Sequence, residues 1–429
     1  MPQERSHRTP LTLVTGLDRT ISARIAHTLA TPGTAVVSHD LRDVERGRVT
    51  RTVHRIDTDG HDEFSLDDID LEHGCVSCTL RLDLLPLLRT LHRETQVSRI
   101  VVVLDPVVEP ENVALEVHQT VVHVPGLPPA PAGDDVCLSH TVCGVDAARW
   151  LADATGDLTL AEAGLSAAED ERTLAQVAVG QVRFADTVIV ERADSAAGAW
   201  ELARLHAVLV RLAPAAGMRT LNSRQPLDAA LMARALASGT AESPHGRPRR
   251  PFDPLLSGRP DLTADCGVEL MTIEATRPFH PERLHVALDA LLDGVVTAQG
   301  RLWIAANPND VLWLDSAGGA LGIRRVGTWL ATDPAAAADP QQSATAAFYW
   351  DDVHGDRHTS IVVLCHRAAP DEIRAAFDAA LVTDDELAAG PRALANLPSP
   401  FGTDHRDPCD DLETTDRSAT VDQTEGENR

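Results

Sequence analysis

Short apolar runs alternate with stretches of helical periodicity over the first half of the chain. The runs predict strands at Leu11–Val14, Thr34–Ser38, Val49–Ile56, Arg99–Leu104, His140–Val145 and Thr187–Val190. Several of them are rich in Val and Ile with little polar alternation, as in a parallel sheet that is covered on both faces. Between them, Leu80–Leu91 carries leucines along one helical stripe, with Pro86 near its first turn. This alternation predicts a doubly wound α/β domain over residues 1–238.

The pattern changes in the second half. Residues 239–267 are rich in proline, glycine and arginine and are predicted to be a linker. A smaller α+β domain is predicted over residues 268–401. Its elements are a strand and a helix that starts at Pro281, further strands around Arg301–Ala305 and Ser360–His366, and a helix near Asp371–Leu381. Residues 402–429 are polar and acidic, and they are predicted to be a disordered tail.

Composition narrows the function classes. All 38 basic residues are arginine, so Schiff-base chemistry, a lysine base and a phosphate-binding lysine are excluded. The net charge of −26 argues against unaided binding to nucleic-acid phosphates. No apolar run approaches the roughly 18 residues of a membrane span, and no secretory signal is evident, so we expect a cytoplasmic protein. Seven cysteines in such a chain favour metal ligands or core thiols over a disulfide framework.

The segment "LTLVTGLDRTISARIAHTLA" (residues 11–30) reads as strand, turn and helix, where a phosphate-binding loop would lie. Such a loop requires G-x-x-x-x-G-K-[ST]. Counting from Gly16, the second glycine, the lysine and the Ser/Thr positions hold Ile21, Ser22 and Ala23. A structural turn is therefore favoured, although Ser22 could cap the helix and the helix N-terminus could attract an anion.

The segment "LEHGCVSCTLR" (residues 71–81) contains the other candidate site. Cys75 and Cys78 form a C-x-x-C that could bind zinc or form a redox pair. Completing ligands could come from Glu72, His73, Cys137, His140 and Cys143. The last three lie on a predicted strand and should alternate between its faces, so they are not expected to bind one ion together. Metal binding is favoured for the C-x-x-C, and a core thiol for Cys143.

Two further segments are ambiguous. Asp194 follows a predicted strand, where a carboxylate can read a purine base or cap the next helix. The segment "DDVHGDRHTS" (residues 351–360) gathers His354, Asp356 and Arg357, and a tight turn explains it as well as a partner-binding face does.

Taken in order, these segments resemble the CobW-like family of P-loop GTPases from about Leu11 to Phe401. "LVTG" matches the entry to the phosphate loop, and "GCVSCTLR" matches the hallmark G-C-x-C-C-T-L-R with Ser77 replacing the middle cysteine. "QVRFADTVIVERAD" matches the segment that ends in N-K-x-D, with only Asp194 kept. "RPFHPERL", "GRLWIA", "GTW", "HGDR" and "LVTDDE" match the C-terminal domain. The resemblance implies a mostly parallel P-loop-type sheet and a CobW C-terminal domain.

The departures imply an altered nucleotide site. Leu104 and Val107 occupy the Glu and Gly positions of the family's E-T-x-G switch, in addition to the changes in the phosphate loop. Gly16, Ser22 and Asp194 are what remains of the nucleotide-binding set. We therefore expect impaired or absent GTP hydrolysis and do not count GTP or Mg²⁺ as firm cofactors.

The resemblance also suggests a role. "LEHGCVSCTLR" is similar to an actinobacterial subgroup that is thought to bring a hibernation factor to ribosomes under zinc limitation. A recruiter acting through protein contacts is therefore the first hypothesis, with the ribosome and the hibernation factor as partners. The second is a GTP-dependent zinc or cobalt metallochaperone with Cys75, Cys78 and His73 as zinc ligands, although Ser77 removes one thiolate. The third is a structural remnant that heterodimerises with an intact paralogue. The oligomeric state stays open between a homo- and a hetero-oligomer.

Overall fold

The structure is a computed structural model that describes residues 7–71, 76–166, 170–192, 198–222, 232, 263–333 and 340–401. The predicted boundary at residue 238, most of the predicted linker and the tail from residue 402 lie outside these ranges. Within them, no helix is both long enough and apolar enough to cross a membrane.

A large sheet organises the N-terminal part of the chain. In the described residues it has eight strands in the order β10-β9-β8-β1-β5-β2-β3-β4. These strands, together with the short pair β6–β7, are β1 (Thr9–Thr15), β2 (Thr34–Asp40), β3 (Arg48–Ile56), β4 (Asp62–Asp70), β5 (Arg99–Val103), β6 (Val121–Val122), β7 (Ala130–Pro131), β8 (Val136–Asp146), β9 (Thr187–Arg192) and β10 (Gly217–Asn222). From β10 to β2 every pairing is parallel. The predicted mostly parallel α/β sheet is confirmed.

One edge of this sheet differs from the prediction. The predicted strand at Val49–Ile56 exists, but it pairs antiparallel with β2 and with β4, a strand that the apolar pattern missed. β3 and β4 form a hairpin, and a hairpin turn reverses the chain direction, whereas the parallel strands need crossover helices.

Helices cover the two faces of the sheet. They are α1 (Arg19–Leu29), α2 (Val76–Thr79), α3 (Leu85–Arg93), α4 (Pro110–Gln119), α5 (Trp150–Thr155), α6 (Leu174–Arg183) and α7 (Ala199–Leu212). The predicted helix over Leu80–Leu91 is divided, because a π-helical turn at Leu80–Leu84 connects α2 to α3. On one face, Ile21, Ile25 and Leu29 of α1 pack against Val14 and Val101 of the central strands.

The C-terminal part is a separate antiparallel sheet with helices. Its strand order is β11-β15-β12-β13-β14. The strands are β11 (Glu269–Ala275), β12 (Val295–Leu302), β13 (Asp310–Ala317), β14 (Ala320–Thr328) and β15 (Thr359–Cys365), and the main helices are Pro281–Leu288, Pro340–Tyr349 and Pro370–Ala380. Pro281 lies in the first turn of its helix, as predicted. The two parts share one apolar cluster, in which Leu270, Val296 and Leu364 of this sheet pack with residues of α6 and α7.

Candidate functional site

The turn between β1 and α1 is built around a glycine. Gly16 has φ +149, and a Cβ there would lie 2.5 Å from the carbonyl oxygen of Gly144 in β8. A Cβ at Gly144 would in turn lie 2.7 Å from Cγ2 of Ile21. Glycine is needed at both positions because β8 and α1 approach each other so closely.

The first turn of α1 is capped by its own carboxylate. The side chain of Asp18 accepts hydrogen bonds from the backbone N–H groups of Thr20 at 2.7 Å and Ile21 at 3.1 Å. These are the N–H groups that a helix N-terminus would offer to a phosphate. Asp18, and not Ser22, is therefore the N-cap residue, which corrects the capping role predicted for Ser22.

Ser22 and Ala23 stand at the positions that the sequence comparison assigns to the lysine and the hydroxyl of a phosphate loop. Ser22, at the lysine position, is buried, and its hydroxyl has no hydrogen-bond partner among the described residues. Ile21 packs in the apolar cluster beneath α1, and Ala23 is exposed.

An arginine meets the carboxylate at the end of β5. Asp105 is buried and pairs with Arg19 at 2.8 Å, and it also accepts weaker bonds from the backbone N–H groups of Leu41 and Val107 at 3.3 Å. In a nucleotide-binding fold a carboxylate at this edge is placed to hold a metal ion. Here the guanidinium of Arg19 provides its positive partner.

A second arginine of α1 forms an ion pair at the carboxyl end of β9. Arg24 pairs with Glu191 at the end of β9 at 2.5 Å. Glu191 occupies the asparagine position of the family's guanine-reading motif, and Arg192 occupies the lysine position. Asp194, the retained residue of that motif, lies outside the described residues. Sequence reasoning missed Asp18, Arg19 and Arg24, although an Asp just before the predicted helix was a signal for the cap.

A cleft of about 380 Å³ remains at the carboxyl ends of β1 and β8. It is lined by Asp18 and Arg19 from the turn and by Asp146, Arg149 and Asp153 from the segment after β8. Burial raises the pKa of Asp153 above its ordinary value, which Arg149 opposes and Asp146 reinforces. Three carboxylates and two guanidinium groups therefore line the cleft.

The candidate zinc ligands are only partly described. Cys78 is half-buried in α2, whereas His73 and Cys75 lie outside the described residues. Elsewhere in the described residues, only Asp57, Asp59 and His61 bring three ligand atoms together. That group is an exposed turn in which Asp57 accepts the N–H groups of the other two residues.

The β8 residues do not form a common metal site. A bulge at Ser139 shifts the register, so Cys137 and His140 pair with Pro10 and Thr12 and share a face. Cys143 lies on the opposite face, where burial raises the pKa of its thiol to about 12. His140 Nε2 instead bonds to the hydroxyl of Thr187 at 2.8 Å. Simple alternation along a strand would place Cys137 and Cys143 on one face. Because the bulge inserts one extra residue, Cys137 and His140 share a face instead.

The segment 351–358 forms a turn. Asp356 is buried and accepts the N–H groups of Leu330 and Ala331. Arg357 bonds to the carbonyl oxygens of His354 and Pro308. These contacts, made by the side chains of Asp356 and Arg357 and by the carbonyl oxygen of His354, hold the turn against its neighbours.

A buried polar cluster beside this turn was not predicted. Arg301 lies over the rings of Trp329 and Tyr349, with centroid distances of 5.6 and 5.2 Å, and donates to Nε2 of His358. His358 Nδ1 bonds to the carbonyl of Asp356 at 2.9 Å. Burial and the guanidinium of Arg301 lower the pKa of His358 to about 3. The histidine is therefore neutral, with Nδ1 as donor and Nε2 as acceptor.

Comparison with known proteins identifies the two parts of the chain. The protein-family model described as "CobW/HypB/UreG, nucleotide-binding domain" matches residues 33–219, a range that begins after the β1–α1 turn. The model described as "Cobalamin synthesis protein cobW C-terminal domain" matches residues 268–381.

Relatives extend the likeness to the whole chain. "Zinc chaperone Rv0106" of Mycobacterium tuberculosis is 40% identical over 426 residues, which cover 98% of this chain and 100% of the relative. "Zinc-regulated GTPase metalloprotein activator 1" of Dictyostelium discoideum is 24% identical over 333 residues, 75% of this chain and 67% of the relative. The solved Zn(II)-bound YjiA GTPase from E. coli aligns with 16% identity and a TM-score of 0.33, over 88% of this chain and 100% of that one. The chain belongs to the CobW family, with a CobW/HypB/UreG-type nucleotide-binding domain followed by a CobW C-terminal domain.

Proposed function

We propose that this chain is a zinc-handling protein of the CobW family that works without efficient GTP hydrolysis. The second half of this proposal rests on the two hydrogen bonds that the carboxylate of Asp18 accepts from the backbone N–H groups of Thr20 and Ile21. A phosphate at the start of α1 would have to displace this carboxylate and would be repelled by it. The chain has no lysine to offset that repulsion.

The metal side of the nucleotide site does not fit either. Mg²⁺ in such sites is bound by a hydroxyl and a carboxylate together with substrate phosphates. Ala23 replaces the hydroxyl, and Asp105 is already paired with Arg19. We therefore derive no hydrolytic step through GTP and Mg²⁺ for this chain.

Nucleotide titration tests this half directly. With GTP and Mg²⁺ in a calorimeter, we expect no saturable binding at micromolar protein, and phosphate release at the rate of the buffer alone. Stoichiometric binding that depends on Mg²⁺ would overturn this part of the proposal.

The zinc half is supported by the relatives, one named a zinc chaperone and another a zinc-regulated activator. In this chain, Cys75, Cys78 and His73 would hold the ion, because thiolate and imidazole are the donors that zinc prefers. Only Cys78 of these is described, and it is half-buried at the start of a helix.

Competition with a chromophoric chelator measures zinc affinity. We expect one zinc per chain and a loss of at least about ten-fold in affinity for Cys78→Ser, since one ligand in three or four is removed. Cys266→Ser is the matched control, because that thiol is also half-buried but lies in the C-terminal part of the chain. Equal affinities for wild type and Cys78→Ser would exclude the C-x-x-C as the zinc site.

Recruitment of a hibernation factor to ribosomes is the second candidate. It is supported by the likeness of "LEHGCVSCTLR" to that subgroup and by the acidic charge, which would attract basic ribosomal proteins. Co-sedimentation of the tagged chain with ribosomes from zinc-starved and zinc-replete cells tests it. Enrichment on starved ribosomes together with a hibernation factor is expected, and absence from both pools would discard this candidate.

A further inference from the structure

The β3–β4 hairpin ends the large sheet in an open edge. β4 is the last strand in the sheet order and pairs with β3 over its whole length, from Asp62 to Asp70. Among the described residues, no strand lies on its other side. An open edge strand of nine residues is a template for an added strand.

Two hydrogen bonds, one just beyond each end of the paired strands β3 and β4, show which backbone groups of β4 point outward. The N–H of Asp57 donates to the carbonyl of His61 at 3.0 Å, and the N–H of Leu71 donates to the carbonyl of Gly47 at 2.7 Å. Both are continuations of the β3–β4 register, so His61 and Leu71 direct their backbone groups toward β3. Because strand residues alternate, the odd-numbered residues of β4 bond to β3.

The even-numbered residues of β4 therefore present their backbone N–H and carbonyl groups to the open edge. Phe64, Leu66 and Asp68 form the middle of this outward row. An added strand would hydrogen-bond to these three residues and leave the bonds of Ser65 and Asp67 to β3 unchanged.

The same residues also place apolar side chains on an uncovered face. Phe64 is 64% exposed and Leu66 is 58% exposed. The opposite face of the hairpin is packed, since Val49 and Val53 of β3 are buried in the main core. α1 packs on the central strands on the side of Phe64, and neither Phe64 nor Leu66 belongs to that apolar cluster.

Charge defines the partner. β4 carries five carboxylates and no basic side chain. They are Asp62, Glu63, Asp67, Asp68 and Asp70. Charge on an edge strand discourages pairing between copies of the same strand, but it does not explain why the apolar side chains of Phe64 and Leu66 are exposed to solvent.

We propose that the open edge of β4 binds an extended basic segment of a partner protein by strand addition. Backbone bonds to Phe64, Leu66 and Asp68 would hold the segment, its apolar side chains would cover Phe64 and Leu66, and its basic side chains would face the carboxylates. A second copy of the chain is disfavoured as occupant, because pairing β4 with β4 brings acidic residues together. This inference is independent of zinc and nucleotide.

The complementary peptide can be written from the β4 sequence. Antiparallel to β4, it has arginine opposite each acidic residue, valine opposite Ile69, Leu66 and Phe64, and threonine opposite Ser65, which gives "RVRRVTVRR". Fluorescence anisotropy of this peptide, with both ends blocked, measures its binding to the full-length chain without added metal or nucleotide. We expect saturable binding that weakens with salt. The peptide "RVRRPTPRR" is the control, because it keeps the charge but loses N–H groups needed for strand addition.

Leu66→Pro is the decisive variant. It removes an outward N–H that β3 does not use, so the hairpin should form, and we expect about a ten-fold or larger loss of peptide affinity. Leu66→Ala keeps the N–H, loses the side chain and should show a smaller loss. Equal binding to wild type and Leu66→Pro, or no binding of the first peptide, would overturn the proposal.

Amide hydrogen exchange provides a readout that needs no variant. In the free chain, the N–H groups of Phe64, Leu66 and Asp68 should exchange quickly and those of Ser65 and Asp67 slowly. Among these five residues, the peptide should slow exchange at Phe64, Leu66 and Asp68 and leave Ser65 and Asp67 unchanged. Unchanged exchange there would contradict strand addition, and a dimer of the free chain that Leu66→Pro abolishes would assign the edge to a second copy instead.

Discussion

The carboxyl ends of the central strands and the edge strand β4 of the same sheet differ in how their polar groups are paired. At the carboxyl ends of β1, β5 and β9, the charged groups of the turn and α1 find partners within the chain. Asp18 accepts hydrogen bonds from N–H groups of the helix. Arg19 forms an ion pair with Asp105, and Arg24 forms one with Glu191. At the β3–β4 hairpin, backbone groups of β4 face outward and Phe64 and Leu66 are exposed.

The difference concerns where each edge can still gain interactions. A group that is already paired inside the protein must break a bond before it binds a ligand, and the proposal of weak nucleotide binding rests on this cost at the β1–α1 turn. The outward backbone groups of β4 have no such bonds among the described residues, although the carboxylates of Asp62, Asp67 and Asp68 already bond to His54, Arg51 and Thr50 of β3. Under the two proposals above, the contacts around the β1–α1 turn contribute to stability, and the open edge of β4 is the surface suited to binding.

Removing Asp105 should have the largest effect on this comparison. Asp105→Ala leaves Arg19 and two backbone N–H groups without their acceptor, and we expect a loss of about 3 kcal/mol in the free energy of unfolding. Urea unfolding followed by circular dichroism measures it. Asp43→Ala, which breaks an exposed pair with Arg46, is the control and should cost less than about 0.5 kcal/mol. Similar costs for both variants would show that the Arg19 pair does not stabilise the closed edge.

Low pH should reduce the stability of the protein through the buried polar cluster of Arg301 and His358. Because the pKa of His358 is lowered from 6.5 to about 3, the unfolded chain binds a proton below pH 6.5 that the folded chain does not. Stability is therefore fully present above about pH 7 and falls with decreasing pH, by about 2 kcal/mol between pH 7 and pH 5 from this residue. Unfolding midpoints at these pH values measure the fall, and nuclear magnetic resonance titration of the His358 ring identifies the group. A ring that titrates above pH 5 would contradict the buried contact with Arg301.

Changing Asp18 separates its cap from its charge. Asp18→Ala should lower stability by about 1 kcal/mol through loss of the cap. Asp18→Asn keeps an acceptor but removes the charge, so it should cost less. It should also bind tripolyphosphate about ten-fold more tightly than wild type does, since the repulsion is gone. Equal affinity in wild type and Asp18→Asn would show that the carboxylate is not what keeps phosphate out.

Phe64→Ser should have the smallest effect on stability. The side chain is mostly exposed, so we expect a change within about 0.5 kcal/mol. Val53→Ala, on the packed face of the same hairpin, should cost about 2 kcal/mol. If both substitutions cost the same, Phe64 would be covered in solution and the hairpin edge would not be open.

Much of the large sheet could be predicted from apolar runs. The strands at Leu11–Val14 and Arg99–Leu104 were found because central parallel strands are buried on both faces. β4 was missed because its two exposed apolar residues, Phe64 and Leu66, stand among carboxylates and give no buried face. The hairpin direction of β3 was missed for a related reason, since a strand pattern carries no information about the direction of its neighbour.

The site was less predictable than the fold. Counting from Gly16 was enough to predict that Ser22 and Ala23 stand at the lysine and hydroxyl positions, because spacing along one turn is local. The pairs Arg19–Asp105 and Arg24–Glu191 join residues that are far apart in the chain, and no pattern along it brings them together. The bulge at Ser139, which placed Cys137 and His140 on one face, is likewise a property of pairing with β1.

The amino-acid sequence by itself determined the strand–helix alternation, the family likeness and the absence of any lysine for phosphate chemistry, because these depend on residue type and local spacing. The tertiary structure alone decided that Asp18 and Arg19 find partners within the chain and that Arg301 and His358 meet in the C-terminal core. It also decided that no described strand pairs with the outer edge of β4. Each of these depends on which distant segments become neighbours. That choice is made by packing of the whole core and not by any one segment.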